Sequence, residues 1–306
     1  MRIVVNGQQA FGKEVLEALL NRGDEVIAVY CAPEKEGQRP DPLKEAALAH
    51  NLPVYQPKSF RKPEVWEELS VLKPDLCVMA YVTLFVPDEF LNMPTHGTIQ
   101  YHPSLLPKHR GPSSINWPIM MGSSKTGLSI FWPDKGLDTG PILLQKEVEI
   151  GPDDTLGSVY FDKLFPMGVA AMLEGVDMVK AGNTPKAVQD ESQATYESWC
   201  KAEDVELDWN KPAQEVYNMI RGANPQPGAW TRHGGKVLQI FDAGLVPAAE
   251  SATPGQVTEV SGGSFTVACN GGQIIVKRVK PEDGKKVGAD EYIQSAGLQP
   301  GAQLGG

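Results

Sequence analysis

Short apolar runs alternate with amphipathic segments along the first third of the chain. The apolar run at residues 3–5 precedes a stretch in which apolar residues recur at helical spacing from Phe11 to Leu19. The same alternation predicts strands at residues 2–6, 25–31, 53–56, 75–79 and 97–101, and helices at residues 9–22, 43–50 and from Pro63 onward. Apolar strands separated by helices are typical of a mostly parallel sheet with flanking helices, so we predict a Rossmann-like α/β domain.

The next part of the chain predicts elements at the margin of that sheet. Residues 126–132 and 142–148 have the pattern of two edge strands. Asp154 or Thr155 is predicted to cap a long helix that reaches about residue 181. The polar residues 182–194 are interpreted as a linker.

Beyond residue 201 the periodicity becomes that of a β-rich segment. It predicts one helix and four short strands, at residues 212–221, 236–241, 255–260, 265–268 and 274–279. Such a run is typical of a small β-barrel-like (OB-like) domain. We therefore predict two domains, at residues 1–202 and 203–306.

Composition and charge narrow the class of protein. The chain has 306 residues, 41% hydrophobic and 22% charged, which is ordinary for a globular protein of two domains. Its net charge of −10 argues against a broad nucleic-acid-binding surface. The four cysteines are scattered and predict reduced thiols rather than a zinc or redox motif. No signal sequence or membrane span is predicted, so we expect a cytoplasmic protein.

The first glycine-containing turn does not match a nucleotide-binding motif. Gly7 and Gly12 are separated by four residues, whereas a dinucleotide fingerprint needs the G-x-G-x-x-G spacing. Lys13 follows Gly12 without the rest of a phosphate-binding loop. We interpret the segment as a tight turn into a helix and expect no NAD site there.

Candidate chemistry begins where the strand at residues 97–101 ends. Gln100 and His102 are two residues apart, which places both side chains on one face of the strand. Open α/β sheets bind ligands at the carboxyl ends of their strands. Leu105 and Leu106 supply apolar walls beside the imidazole. The alternative is a histidine that merely satisfies its own loop.

A carboxylate about thirty residues later is the candidate partner. Asp138 lies in a glycine-flanked turn between the two predicted edge strands. An aspartate there could orient or charge-pair an imidazole. The alternative is that Asp138 only closes an Asx turn.

Two motifs in these segments make the chain resemble the folate-dependent formyltransferase superfamily. The first is His102-Pro103-Ser104-Leu105-Leu106-Pro107 with Arg110-Gly111 following, and the second is Leu137-Asp138-Thr139-Gly140. Within the superfamily the chain is most similar to the 10-formyltetrahydrofolate hydrolase domain of 10-formyltetrahydrofolate dehydrogenases. Further similarity extends along nearly the whole chain, including its C-terminal part.

The resemblance implies a site and a substrate. His102 and Asp138 would be the catalytic pair, and 10-formyltetrahydrofolate would be the formyl donor, with no metal and no NAD. The folate would lie against the loop after the fourth strand and against the turn before Asp138. The implied folate-binding residues are Met79, Ala80, Tyr81, Leu84, Phe85, Leu105, Asp134 and Gly136.

One position departs from the superfamily pattern. Most members have asparagine two residues before the catalytic histidine, where its amide donates to the developing oxyanion, and the similar hydrolase domains have an aliphatic residue. Here the residue is Gln100, which keeps the amide on a longer side chain. Gln100 is therefore a third candidate catalytic residue, and its effect on rate or acceptor choice is open.

The acceptor of the formyl group is open as well. Water, a small amine such as an amino sugar, and methionyl-tRNA are the alternatives. Residues 203–306 hold nine Lys and Arg against twelve Asp and Glu, which disfavours a tRNA-docking domain. The basic cluster Lys277, Arg278, Lys280, Lys285 and Lys286 is interpreted as a solvated hairpin rim. A folate-binding module without catalysis is the alternative outside enzymes.

Overall fold

The computed structural model describes residues 1–35, 37–248 and 252–305. These residues divide into two compact units. The first comprises Met1–Gly111, Gly127–Val148 and Lys163–Tyr196, and the second comprises Pro112–Thr126, Glu149–Asp162 and Glu197–Gly306. The units are interleaved along the chain, and the boundary expected after residue 202 stays a prediction.

A seven-stranded sheet forms the centre of the first unit. In spatial order its strands are β3 (Val54–Tyr55), β2 (Glu25–Tyr30), β1 (Arg2–Gly7), β4 (Leu76–Ala80), β5 (Thr98–His102), β6 (Lys125–Phe131) and β7 (Ile142–Glu149). The pairs from β3 to β5 are parallel, and β6 runs antiparallel to β5. This is the doubly wound order, in which β1 and β4 flank the point where the order reverses. The predicted Rossmann-like α/β class is confirmed.

Both faces of this sheet are buried. Ile3 and Val5 face one apolar core, and Val4 between them faces another. The helices of this unit are α1 (Gln9–Asn21), α2 (Pro42–Ala49), α3 (Pro63–Leu72), α4 (Asp88–Leu91) and α7 (Phe165–Lys180), and those of the second unit are α5 (Asn116–Met120), α6 (Leu156–Ser158), α8 (Ala213–Gly222) and α9 (Ala289–Ala296). Because helices cover both faces, the strands read as continuous apolar runs, which is why sequence pattern located them.

The helical stretch predicted from Asp154 or Thr155 to about residue 181 is present, but it is not a regular α-helix throughout. Thr155 does cap a helix, since its hydroxyl accepts a hydrogen bond from the Ser158 backbone N–H at 3.1 Å. That helix, α6, is only three residues long and is followed by a π-helix at Val159–Leu164. Pro166 then lies in the first turn of α7. Proline has no backbone N–H, so a regular α-helix cannot run through this position without losing a hydrogen bond.

Antiparallel strands dominate the second unit, as predicted. One four-stranded sheet has the order β10 (Ala243–Pro247), β13 (Gly272–Val276), β12 (Ser264–Cys269) and β11 (Val257–Ser261). The other has the order β15 (Val287–Gly288), β14 (Arg278–Pro281), β9 (Lys236–Ile240) and β8 (Ala229–His233). The sequence missed β8, β10 and the two-residue β15. It also merged β13 with β14, which belong to different sheets because β13 pairs with β12 whereas β14 pairs with β9.

No helix within the described residues is long and apolar enough to cross a membrane.

All four cysteines are free, as predicted. Burial raises the pKa of the Cys77 thiol to about 12 and that of Cys31 to about 11. Because the thiolate is the nucleophile, we expect iodoacetamide at about pH 8 to leave both unmodified in the native protein and to modify them in denaturant. Peptide mapping by mass spectrometry measures this. Rapid native modification of Cys77 would contradict it.

Candidate active site

The candidate site lies at the carboxyl end of β5. Side chains alternate along a strand, so Gln100 and His102 share one face of β5, and Tyr101 between them faces the other. Gln100 pairs with Met79 on the neighbouring strand β4, and Met79 pairs with Asn6 on β1. Gln100, Met79 and Asn6 therefore form one row across three strands.

The His102 imidazole is buried and has one fixed nitrogen. Its Nε2 donates to the His109 backbone carbonyl at 2.8 Å, and since a carbonyl can only accept, Nε2 carries the proton. Nδ1 faces the Asp138 Oδ2 at 3.6 Å. That distance is too long for a direct hydrogen bond, so Nδ1 and the carboxylate can both reach a third polar atom.

Asp138 is held in an unusual backbone conformation beside this histidine. Its φ of +56° lies in the left-handed region. The Gly111 backbone N–H donates to the Asp138 Oδ2 at 2.8 Å. The Asx-turn hydrogen bond in this loop is made by Asp134, whose Oδ1 accepts from the Gly136 N–H at 2.9 Å. Asp138 thus faces the imidazole instead of closing the turn.

The two catalytic candidates also depend on residues that sequence reasoning missed. The Gln189 amide is buried, and its Nε2 donates to the backbone carbonyls of Asp138 at 2.9 Å and Gly140 at 2.7 Å. Gln189 belongs to the segment predicted to be a linker. That prediction is wrong, because the segment does not merely connect two domains but holds the turn that carries Asp138. The segment packs against the site because its polar side chains find partners there, and nothing in its local pattern indicates this.

The loop after β4 exposes two aromatic rings. Tyr81 is 44% exposed and has a φ of +65°, and Phe85 is 50% exposed. The Arg61 guanidinium lies 4.7 Å from the centre of the Phe85 ring. Leu84 in this loop and Leu105 after β5 are half-buried. These side chains offer apolar faces to a flat ligand.

Two of the implied folate-binding residues, Met79 and Ala80, have buried side chains, unlike Tyr81 and Phe85. The side chains of Met79 and Ala80 are buried in the apolar cores on the two faces of the sheet. A ligand at the end of β4 can reach these residues through their backbone, which is where the implied contacts would have to be made. Asp134 and Gly136 lie in the turn before Asp138, with the Asp134 carboxylate engaged by that turn.

Two amides in the cross-strand row are available to a ligand. Gln100 is half-buried and, among the described residues, its side chain makes no hydrogen bond. The Asn6 Nδ2 is buried and likewise has no hydrogen-bond partner there. An unpaired buried donor costs about 1–3 kcal/mol, so its presence at a ligand-binding edge is notable. Asn6 was missed, and the one signal was a polar residue at the end of an apolar strand.

No group of three or more His, Cys, Asp and Glu side chains within the described residues is placed to hold a metal ion.

A histidine and an aspartate facing one another at the carboxyl edge of a doubly wound sheet define a site for acid-base chemistry. The model of the formyl transferase family matches residues 1–174, and that of the formyl transferase C-terminal domain matches residues 200–297. The chain belongs to the formyl transferase family. The resemblance carried by the two motifs is thereby confirmed.

Relatives of two kinds match over nearly the whole chain. The cytosolic 10-formyltetrahydrofolate dehydrogenase of Homo sapiens is 39% identical over 312 residues, covering 97% of this chain and 34% of the relative. The chain therefore spans about one third of the dehydrogenases it matches. The methionyl-tRNA formyltransferase of Geotalea uraniireducens (strain Rf4) is 36% identical over 310 residues, covering 100% of this chain and 98% of the relative.

Solved structures share the fold at lower identity. HypX from Aquifex aeolicus in complex with tetrahydrofolic acid superposes with a TM-score of 0.69 at 18% identity, covering 96% of this chain and 47% of that one. WlaRD, a sugar 3N-formyl transferase solved in the presence of dTDP and 5-N-formyl-THF, has a TM-score of 0.68 at 19% identity, covering 90% of this chain and 97% of that one.

Proposed function

We propose that this protein is an enzyme that transfers or releases the formyl group of 10-formyltetrahydrofolate and yields tetrahydrofolate. One observation supports the proposal above the others. The buried His102 presents Nδ1 to the Asp138 carboxylate across 3.6 Å, while Nε2 is engaged by a backbone carbonyl. Such a pair can accept a proton from a nucleophile and return it to a leaving group.

The proposed reaction passes through a tetrahedral intermediate. The nucleophile adds to the formyl carbon as His102 Nδ1 takes its proton, and the oxygen of the former carbonyl becomes an oxyanion. The bond between the formyl carbon and N10 then breaks, and the proton passes from His102 to N10. Asp138 stabilises the transient imidazolium and orients the nucleophile, and the Gln100 amide donates to the oxyanion. The sequence of steps uses no metal and no nicotinamide.

The folate is proposed to bind along the carboxyl edge beside this pair. The exposed rings of Tyr81 and Phe85 and the half-buried Leu84 and Leu105 would pack against the pterin and its attached ring. Backbone groups of Met79, Ala80, Asp134 and Gly136 would supply polar contacts. Similarity to structures described as holding tetrahydrofolic acid or 5-N-formyl-THF supports this placement. A cytoplasmic location is part of the proposal, supported by relatives described as cytosolic.

Besides water, methionyl-tRNA is a second candidate acceptor, because a relative described as a methionyl-tRNA formyltransferase matches over 98% of its length. The acidic balance of residues 203–306 argues against it, and the basic cluster around Lys280 argues for it. An amino sugar is a third candidate, in line with the sugar transferase that shares the fold.

Purified protein should release tetrahydrofolate from 10-formyltetrahydrofolate when the correct acceptor is supplied. We would follow the absorbance change in parallel reactions with water alone, a thiol, an amino sugar and methionyl-tRNA. Turnover in one reaction identifies the acceptor. Micromolar folate binding without turnover in any reaction would contradict the enzyme proposal and favour a folate-binding module.

A further inference from the structure

The segment at residues 187–196, here called the clamp, contacts both sides of the His102 and Asp138 pair. We infer that the clamp is a positioning device for the proposed catalytic pair, with Gln189 as its central residue and Arg110, outside the clamp, as the partner that holds it. The inference rests on the proposed function of His102 and Asp138. Gln189 and Arg110 do not contact the substrate in this proposal. They fix the positions of the His102 and Asp138 side chains.

On the histidine side, the clamp holds the loop that engages His102. The Thr195 Oγ1 accepts from the His109 backbone N–H at 2.8 Å, and the Thr195 carbonyl accepts from the Arg110 N–H at 3.0 Å. The Thr195 N–H donates to the Pro107 carbonyl at 3.2 Å. The His109 carbonyl is the group that accepts from His102 Nε2. Thr195 therefore fixes the peptide that sets the orientation of the imidazole.

On the aspartate side, the clamp holds the turn that presents the carboxylate. Gln189 donates to the carbonyls of Asp138 and Gly140, on either side of Thr139. Asp138 has a left-handed φ, a conformation that is unfavourable for a residue with a side chain unless its surroundings hold it. The two hydrogen bonds from Gln189 supply such a restraint.

Arg110 joins the two sides and sets the orientation of the Gln189 amide. Its side chain is 0% exposed, and its Nε and Nη2 donate to the Gln189 Oε1 at 3.1 Å and 2.8 Å. Because a guanidinium has donors only, the oxygen of Gln189 must face Arg110 and its NH₂ must face the turn. Arg110 also makes a bidentate pair with Glu191, at 2.9 Å and 2.6 Å, and a hydrogen bond to the Tyr196 hydroxyl.

These contacts make a continuous path between the catalytic candidates through one buried cation. The Gly111 N–H, one residue after Arg110, donates to the Asp138 carboxylate at 2.8 Å. Displacement of Arg110 would shift both the donor to Asp138 and the acceptor of His102, whereas loss of the two Gln189 donors alone would release the turn that presents Asp138. Misplacement of a reacting group by about 1 Å can cost on the order of 10²-fold in rate.

The decisive substitution is Gln189→Glu, which keeps an oxygen for Arg110 and removes both N–H donors to the turn. We expect kcat to fall by about 10–100-fold, with tetrahydrofolate affinity within about threefold of wild type. Gln189→Met removes the same donors without adding charge and also removes the oxygen that accepts from Arg110, so it should give at least as large a loss. Gln193→Glu is the matched control, because the Gln193 side chain is exposed on the same segment. Among the described residues, that side chain forms a hydrogen bond only with Asp190. It should leave kcat unchanged.

A double substitution separates positioning from a merely structural role. The Asp138→Ala variant has no carboxylate for Gln189 to position. In that background Gln189→Glu should therefore lower kcat no further. An equal loss of kcat in the wild-type and Asp138→Ala backgrounds would overturn the inference, as would wild-type kcat in Gln189→Glu or Gln189→Met. Wild-type kcat in Asp138→Ala itself would instead overturn the proposed function. Tm values of all variants show whether each is folded. If Gln189→Glu fails to fold, Gln189→Met decides between the outcomes.

Discussion

Replacing His102 or Asp138 by alanine should each lower kcat by about 10²-fold or more, with tetrahydrofolate affinity within several-fold of wild type. His102 is the proposed proton carrier, and removing it leaves the nucleophile without a base and N10 without an acid. Asp138 faces His102 Nδ1 at 3.6 Å and is the nearest charge proposed to stabilise the imidazolium. Neither side chain is proposed to contribute much to ground-state folate binding.

The two losses should not add. A base and the group that orients it act as one unit, so the double variant should be about as slow as the slower single variant. Steady-state kcat together with tetrahydrofolate titration measures this. His96→Ala and Asp88→Ala are matched controls. Both side chains are exposed, and both residues lie between β4 and β5 along the chain. Near-wild-type kcat in either His102→Ala or Asp138→Ala would reject the assignment.

Gln100→Leu should slow the formyl-transfer step by roughly 10–10³-fold, up to about 4 kcal/mol in the barrier. The expectation rests on the position of Gln100 beside His102 and on its amide group, which is unpaired in the part of the chain that the structure describes. Gln100 shares the strand face of His102, and its amide makes no side-chain hydrogen bond among the described residues, so its N–H groups are free to donate to an oxyanion. Leucine fills a comparable volume without the donor. Gln100→Asn keeps the donor on a shorter stem and should be milder.

Single-turnover rates of wild type, Gln100→Leu and Gln100→Asn measure the chemical step apart from product release. A leucine variant as fast as wild type would remove Gln100 from the catalytic residues and assign the oxyanion donor to backbone or solvent. His102 and Asp138 would be unaffected by that result. Weaker folate affinity with an unchanged single-turnover rate would show that Gln100 binds substrate and transition state equally.

Local pattern was enough to predict most of the first unit. The strands β1, β2, β4 and β5 are apolar runs because both faces of the sheet are covered, and their helices carry apolar stripes because one face packs inward. The missed strands of the second unit lack such a pattern, and one of them, β15, has only two residues. β8 contains Arg232 and His233, and β10 ends at Pro247, so neither alternates as a half-buried strand should.

Part of the candidate site could also be predicted from sequence. Gln100 and His102 are two residues apart on one strand, so strand geometry alone places them together. The pairing of His102 with Asp138 came from motifs that the family shares, and the structure brings the two side chains to 3.6 Å. The side chains of Met79 and Ala80 lie in the cores, because the same apolar character that makes them strand residues buries them, and their implied contacts with folate stay a prediction that involves their backbone.

The sequence by itself determined the fold class, the strand that carries the histidine and the identity of its partner, because each follows from short-range periodicity or from a contiguous motif. The tertiary structure alone decided how that pair is held. Arg110 and Gln189 are 79 residues apart, and Gln189 and Asp138 are 51 apart. Neither pairing has a local pattern, since a polar residue in a polar segment has the same sequence signature whether it faces solvent or a buried guanidinium. Only the folded chain, which returns residues 187–196 to the edge of β5, supplies the partners that turn an expected linker into part of the site.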